Sequence, residues 1–248
     1  MENSPFRIPF RLEGAVHTEQ FVARPEHTER IEQVLLQDAS DQMRIFVLHG
    51  MGGIGKTQLA IDFVHKHRAT FTSVFWLQGQ TEGALRQSII QSAKRIPKGQ
   101  ISDKSRRARP ADADEQEDII DEVTDWLAQD GNCKWLIVID NVDLDPASAQ
   151  DRDRGAYRVE SYLPGNHGSV LITSRLATLA QIGGGRSDEQ VRTVSSEVSK
   201  QMFVRQCPQQ SGKQVSFLMY CIVLLNHLKE MMSCWKVFWG LIGSAAYP

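Results

Sequence analysis

Eight residues carry the clearest chemistry in the chain. Gly50-Met51-Gly52-Gly53-Ile54-Gly55-Lys56-Thr57 fits the pattern G-x-x-x-x-G-K-[ST]. Such a loop wraps phosphate oxygens with backbone N–H groups, and glycines let the backbone come close enough to do so. The Lys56 ammonium suits β and γ phosphates, and the Thr57 hydroxyl suits a Mg²⁺ that bridges the same oxygens. A helix beginning near Gln58 would turn its positive end toward the anion. A chance match is expected on the order of once in a hundred chains of this length, so the flanking context has to decide.

A second stretch ends in a carboxylate. Lys134-Trp135-Leu136-Ile137-Val138-Ile139-Asp140 is apolar up to its last residue, as expected of a strand buried on both faces that presents Asp140 at its tip. Asp140 can share the metal with Thr57, since ligands of open α/β sheets sit outside the carboxyl ends of strands. Asn141 follows it, and Asp143 is an outside candidate for a base that would activate water. Ser169-Val170-Leu171-Ile172-Thr173 reads as a further strand delivering Ser174 and Arg175 to the same edge, where a cation can sense a terminal phosphate.

The elements that must position these groups are legible from apolar spacing. Arg44-Ile45-Phe46-Val47-Leu48 is a buried strand entering the glycine loop, and Leu59, Ala60, Phe63 and Val64 stripe the helix leaving it. Ahead of them a helix starts at Pro25, with Glu26 and Glu29 at its positive end and Ile31, Val34 and Leu35 inward. Ser73 to Leu77 is a second strand. Thr81 caps the next helix, which buries Ala84, Leu85, Ile89, Ala93 and Ile96 and ends at Pro97. Lys98 to Glu117 is highly charged with hardly a large apolar residue, and the spacing predicts a flexible solvated loop over about 97–117. Ile119, Ile120, Val123, Trp126 and Leu127 mark another helix, and Asp145 to Arg158 another polar loop. Val191 to Val194 is the candidate fifth strand, followed by a helix through Val198, Met202 and Phe203. The expected fold class is α/β: a three-layer domain whose five-stranded parallel sheet is flanked by helices.

Composition narrows the partners. With 28 Lys and Arg against 30 Asp and Glu, no basic field argues for nucleic acid. The cysteines Cys133, Cys207, Cys221 and Cys234 lie too far apart for a zinc motif, and Met1 to Pro5 begins no signal peptide, so a reduced cytoplasmic compartment is expected.

Taken together, these residues resemble the NB-ARC family, the nucleotide-switch module of NOD-like and plant-resistance-type signalling proteins within the STAND class of P-loop NTPases. The version here is most similar to fungal members. The resemblance rests on Phe21-Val22-Ala23-Arg24, like the family's F-V-G-R, on the G-M-G-G-I-G-K-T loop, on the Asp-Asn ending of the Asp140 strand, and on Ile172-Thr173-Ser174-Arg175. It covers a domain of about 21–206, with residues 1–20 as a lead-in that either packs on a neighbour or stays loose. It implies that Val22 and Arg24 cover the adenine. Gly50, Gly52, Gly53, Ile54, Gly55, Lys56, Thr57 and Gln58 would then hold the phosphates, with Thr57 and Asp140 on Mg²⁺ and Arg175 on the terminal phosphate. A member of this family rests with ADP and exchanges it for ATP to signal through protein partners, and self-association belongs to the ATP state.

Departures from the family pattern shape the remaining expectations. Ala23 stands where Gly is preferred and Pro25 where an acidic residue is common. Asn141 occupies the place of a second carboxylate, and an amide can orient water without taking its proton, so hydrolysis should be slow or absent. A turnover ATPase is the rival reading. Residues 207–248 lack the family's following helical bundle; Val215 to Leu225 and the run from Trp235 to Ile242 are apolar, yet each is shorter than the roughly 20 residues a membrane span requires. Three readings stand for this hydrophobic tail: a helix packed on the core, a membrane-interfacial segment, or a truncated chain end that is no selected element.

Overall fold

The computed structural model describes residues 4–12, 21–37, 42–165, 167–183 and 187–192. The chain divides into two compact units, Met1–Thr18 with Ala23–Arg192 and Glu19–Val22 with Thr193–Pro248. Among the described residues the second unit is represented by Phe21 and Val22 alone. The expected helix through Val198, Met202 and Phe203 and the tail at 207–248 lie outside the described residues.

The first unit runs α1 (Pro25–Leu35), β1 (Arg44–His49), α2 (Lys56–His67), β2 (Ser73–Gln78), α3 (Glu82–Ser92), α4 (Asp103–Arg107), α5 (Ala113–Ala128), β3 (Trp135–Asp140), α6 (Ala149–Arg152), β4 (Ser169–Ser174) and β5 (Asp188–Gln190). The strands form one sheet in the order β2-β3-β4-β1-β5, every neighbouring pair parallel. Buried on both faces, β3 is a near-continuous apolar run, as a parallel strand covered by helices tends to be, while wholly buried β4 carries Val170–Ile172 between Ser169 and the hydroxyls of Thr173 and Ser174. Alternation sorts their side chains: Val47, Phe75, Leu77, Ile137, Ile139, Val170 and Ile172 join one core cluster with Leu85 and Ile89 of α3 and Val123 and Trp126 of α5. α2 buries Leu59, Ala60, Phe63 and Val64, packs against β4 and meets α1.

The boundaries follow the caps. Pro25 opens α1, and the Thr81 hydroxyl accepts the Ala84 N–H at 3.2 Å to start α3. The lead-in at residues 4–12 is packed: the Ile8 N–H donates to the Thr72 carbonyl at 2.9 Å and the Phe6 ring meets Trp126 edge-on.

Three segments differ from expectation. The stretch read as a solvated loop over 97–117 carries α4 and the first turn of α5. Its order is local and polar: the Ser102 and Asp112 side chains cap the two helices, Lys104 pairs with Glu115 at 3.0 Å, and Arg106 Nε donates to the Ile96 carbonyl at 2.9 Å. The loop over Asp145 to Arg158 contains the single turn of α6, capped by Ser148. Of the expected strand Val191 to Val194, Val191 and Arg192 lie outside any strand, and Thr193 and Val194 lie outside the described residues; the fifth strand of the sheet is Asp188–Gln190, which pairs with Val47–His49. Its acidic side chains are met from outside the strand, Asp188 by His49 Nε2 at 3.1 Å and Glu189 by His27 Nδ1 at 3.0 Å and Arg30 Nε at 3.4 Å. Apolar patterning cannot register a strand held in that way.

Candidate functional site

β1 ends at His49, and the glycine loop carries the chain from the sheet into α2, whose first residue is Lys56. Gly50, Gly53 and Gly55 take φ of +141°, +77° and +99°, a region that favours glycine. Gly50 also runs so close to the next strand's end that a β-carbon there would lie 2.5 Å from the Val191 carbonyl oxygen. Lys56 folds back inside the loop and donates to the carbonyls of Gly50 at 2.8 Å and Met51 at 3.0 Å. Burial lowers its pKa; Asp143 and Asp140 act the other way and favour the charged form, while Arg175 adds to the lowering.

The sheet order brings the carboxylate to this loop. Because β4 lies between β1 and β3, Asp140 at the end of β3 reaches Thr57, whose hydroxyl donates to Asp140 Oδ1 at 2.9 Å. Thr173 donates to the same oxygen at 2.6 Å and accepts the Asn141 N–H at 3.0 Å, and Asn141 Nδ2 donates to Oδ2 at 3.2 Å. Thr173 is a site residue that the sequence reading passes over, although a hydroxyl inside a wholly buried strand two positions before Arg175 is a readable signal. Asn141 adopts φ +66°, a left-handed conformation that Asn tolerates better than most side chains.

Asp140 is only 5% exposed, and burial raises its pKa against the opposing hydrogen bonds from Thr173 and Thr57. A raised carboxyl pKa in the folded state means that ionisation costs stability, and the cost appears as pH rises from the unfolded value through the folded one. Asp140→Asn keeps an acceptor for both hydroxyls and removes the charge, and its NH₂ group, which then meets the Asn141 amide, finds an acceptor when that amide turns its oxygen inward. The nucleotide-free variant should therefore melt higher than wild type at neutral pH, by ~2–5 °C. That gap should close on acidification, a trend that thermal melts across pH would measure.

Arg24 also reaches the loop, at Ile54 and Gly55. Its Nη2 donates to the Ile54 carbonyl at 2.9 Å, while Nε and Nη1 are buried without a hydrogen-bond partner among the described residues. Arg175 lies at the end of β4 with its side chain 65% exposed, its Nε 2.8 Å from Asp143 Oδ2 and its backbone N–H donating to Asp143 Oδ1 at 2.7 Å. Gly52, Gly53, Ile54, Gly55 and Gln58 lie in the loop and first turn of α2, and Val22 belongs to the other unit. The arrangement suits a magnesium-bound polyphosphate: hard oxygen donors at Thr57 and Asp140, the Lys56 ammonium, and unpartnered Arg24 N–H groups beside a loop of glycines.

Comparison with known proteins identifies the arrangement. The NB-ARC domain profile matches residues 24–211. The chain belongs to the NB-ARC family. As an NB-ARC domain it is a P-loop NTPase domain of the nucleotide-binding kind. It is 23% identical over 180 residues to a nucleotide-binding leucine-rich repeat (NLR)-like protein of the fungus Hyaloscypha variabilis. That match covers 68% of this chain and 16% of the relative, so the chain spans a small part of that protein's length. Among solved structures it is similar to Cdc6p from Pyrobaculum aerophilum, with a TM-score of 0.53 and 12% identity over 86% of this chain and 55% of that one. The Aeropyrum pernix ORC2 protein, in ADPNP–ADP complexes, aligns with a TM-score of 0.46 and 15% identity over 79% of this chain and 55% of that one. The likeness to Cdc6p concerns the fold: a parallel five-stranded sheet flanked by helices. Among the described residues of the NB-ARC chain no helix is long and apolar enough to cross a membrane.

Proposed function

We propose that this chain is the ADP- and ATP-binding switch core of an NLR-like signalling protein, exchanging nucleotide with slow or no hydrolysis. The observation that carries the reading is the 2.9 Å contact between Thr57 and Asp140 at the start of the helix that begins with Lys56. It joins the two groups a magnesium would share at the place where anions favour a helix terminus. In this reading Gly50 to Gln58 hold the phosphates, Arg24 lies toward the adenine, Thr57 and Asp140 hold Mg²⁺, and Arg175 answers to the terminal phosphate. Magnesium would supply neutralisation of phosphate charge. The chain's own groups bind and orient the nucleotide. The partners are an adenine nucleotide and signalling proteins, with self-association in the ATP state and the cytoplasm as the place of action.

Slow hydrolysis is supported by the groups around Asp140. Asn141 spends its amide on Asp140, and both oxygens of Asp143 are engaged by Arg175, so neither is poised to take a proton from water. The rival, a turnover ATPase, requires rapid phosphate release that disappears in Asp140→Ala. Denaturing the purified protein and identifying the released nucleotide tests the switch, with stoichiometric ADP as the expected result. An empty protein that also binds neither ADP nor ATP on titration would end the reading.

A further inference from the structure

Among the described residues, Asp143 meets Arg175 twice. Its carboxylate takes the guanidinium at 2.8 Å through one oxygen and the Arg175 backbone N–H at 2.7 Å through the other, so backbone and side chain are fixed together. The side chain it fixes crosses the phosphate loop: a β-carbon on Gly52 would lie 3.3 Å from Arg175 Nε and 3.4 Å from Cζ. Asp143 itself is 19% exposed at the side chain, so the pair is partly desolvated on the carboxylate side. Lys56 thus lies in the field of Asp140 and Asp143, and Arg175 is paired with the second of them.

We infer that Asp143 is a positioning residue that restrains Arg175 over Gly52 and competes with a terminal phosphate for its guanidinium, thereby biasing the site toward a diphosphate. The inference deepens the nucleotide-switch reading and rests on it. A diphosphate makes no demand on Arg175 and leaves the Asp143 pair intact. A triphosphate draws on the same N–H donors, and whatever the pair is worth is subtracted from its affinity. Partly exposed ion pairs are modest in worth, and that sets the scale of the bias.

The chemistry of the pair suggests the release variant. Asp143→Asn leaves an oxygen to accept the Arg175 N–H but turns an NH₂ group toward Nε, and donor facing donor frees the guanidinium. Asp143→Ser, which also keeps an acceptor for the backbone, is the second variant. Titration of the full chain with Mg·ADP and with a non-hydrolysable Mg·ATP analogue should show triphosphate affinity raised by ~3- to 10-fold in both variants. ADP affinity should move less than about 2-fold by the same account, since the diphosphate does not use Arg175. In an Arg175→Ala background the Asp143 substitutions should leave only the small effect of removing a negative charge near Lys56, less than about 2-fold for either ligand. Weaker triphosphate binding, an equal change for both nucleotides, or a selective triphosphate gain that survives Arg175→Ala would each overturn the restraint. Wild-type protein that binds neither nucleotide would remove the switch reading along with it, a result distinct from all three.

Discussion

Lys56→Ala should lose affinity for ADP and ATP by ~100- to 1000-fold while its melting temperature stays near that of the nucleotide-free wild type. Lys56 is 7% exposed inside the loop and donates to two loop carbonyls at 2.8 and 3.0 Å. Its ammonium is the group of the loop best placed to turn from those carbonyls to phosphate oxygens. Charge-assisted hydrogen bonds in a partly desolvated site are worth about 1.5–3 kcal/mol each, and two near the lower end of that range, about 3–4 kcal/mol together, account for the expected loss. Folding is insulated for two reasons. Removing the lysine also removes the cost of burying its charge, the cost that lowers its pKa, and Met51, one of its two acceptors, is 49% exposed, so water can serve that carbonyl. The net change in stability should be about 1 kcal/mol or less. Isothermal titration with each nucleotide, paired with thermal melts, checks both halves. A variant that binds normally would remove the loop from the site.

The largest effect on stability is expected far from the nucleotide loop, at Gly168 just before β4. Gly168 adopts φ +86°, and a β-carbon there would lie 2.2–2.4 Å from three atoms of the Trp135 ring. That ring cannot step aside: Trp135 is fully buried at the start of β3, and its Nε1 donates to the Leu127 carbonyl at 2.8 Å. The glycine backbone is pinned as well, since its carbonyl accepts the Arg44 N–H at 3.0 Å where β1 begins. Gly168→Ala therefore adds left-handed backbone strain to a steric overlap in a close-packed core, about 3–4 kcal/mol in all. For a chain of this size the melting temperature should fall by ~10 °C. Gly99→Ala is the matched control. Gly99 has the same φ of +86°, and a β-carbon added there would meet nothing within 4 Å, so it isolates the strain. Its cost should stay near 1–2 kcal/mol. Equal losses in the two variants would show that the overlap with Trp135 is relieved by movement.

Much of the site was legible because its chemistry constrains residue types locally. Phosphate binding by backbone N–H groups demands glycines in a row, and a strand buried on both faces demands an unbroken apolar run, so Gly50–Thr57 and the strand ending at Asp140 declare themselves. What failed was polar. At Asp112 the carboxylate accepts the Glu115 N–H at 2.9 Å and caps α5, a polar signal that apolar spacing does not register. β5 left no apolar signature at all, because Asp188 and Glu189 are matched by His49, His27 and Arg30.

The amino-acid order by itself determined the phosphate loop, the helix behind it and the alternation of buried strands with amphipathic helices, since each depends on neighbours a few positions away. Only the tertiary structure decided which groups meet. Thr57, Asp140 and Thr173 converge because β4 inserts between β1 and β3, and Arg175 faces Asp143 because the ends of β3 and β4 lie side by side. The partner of a charge is set by strand order and register across the sheet, and spacing along the chain carries no record of either.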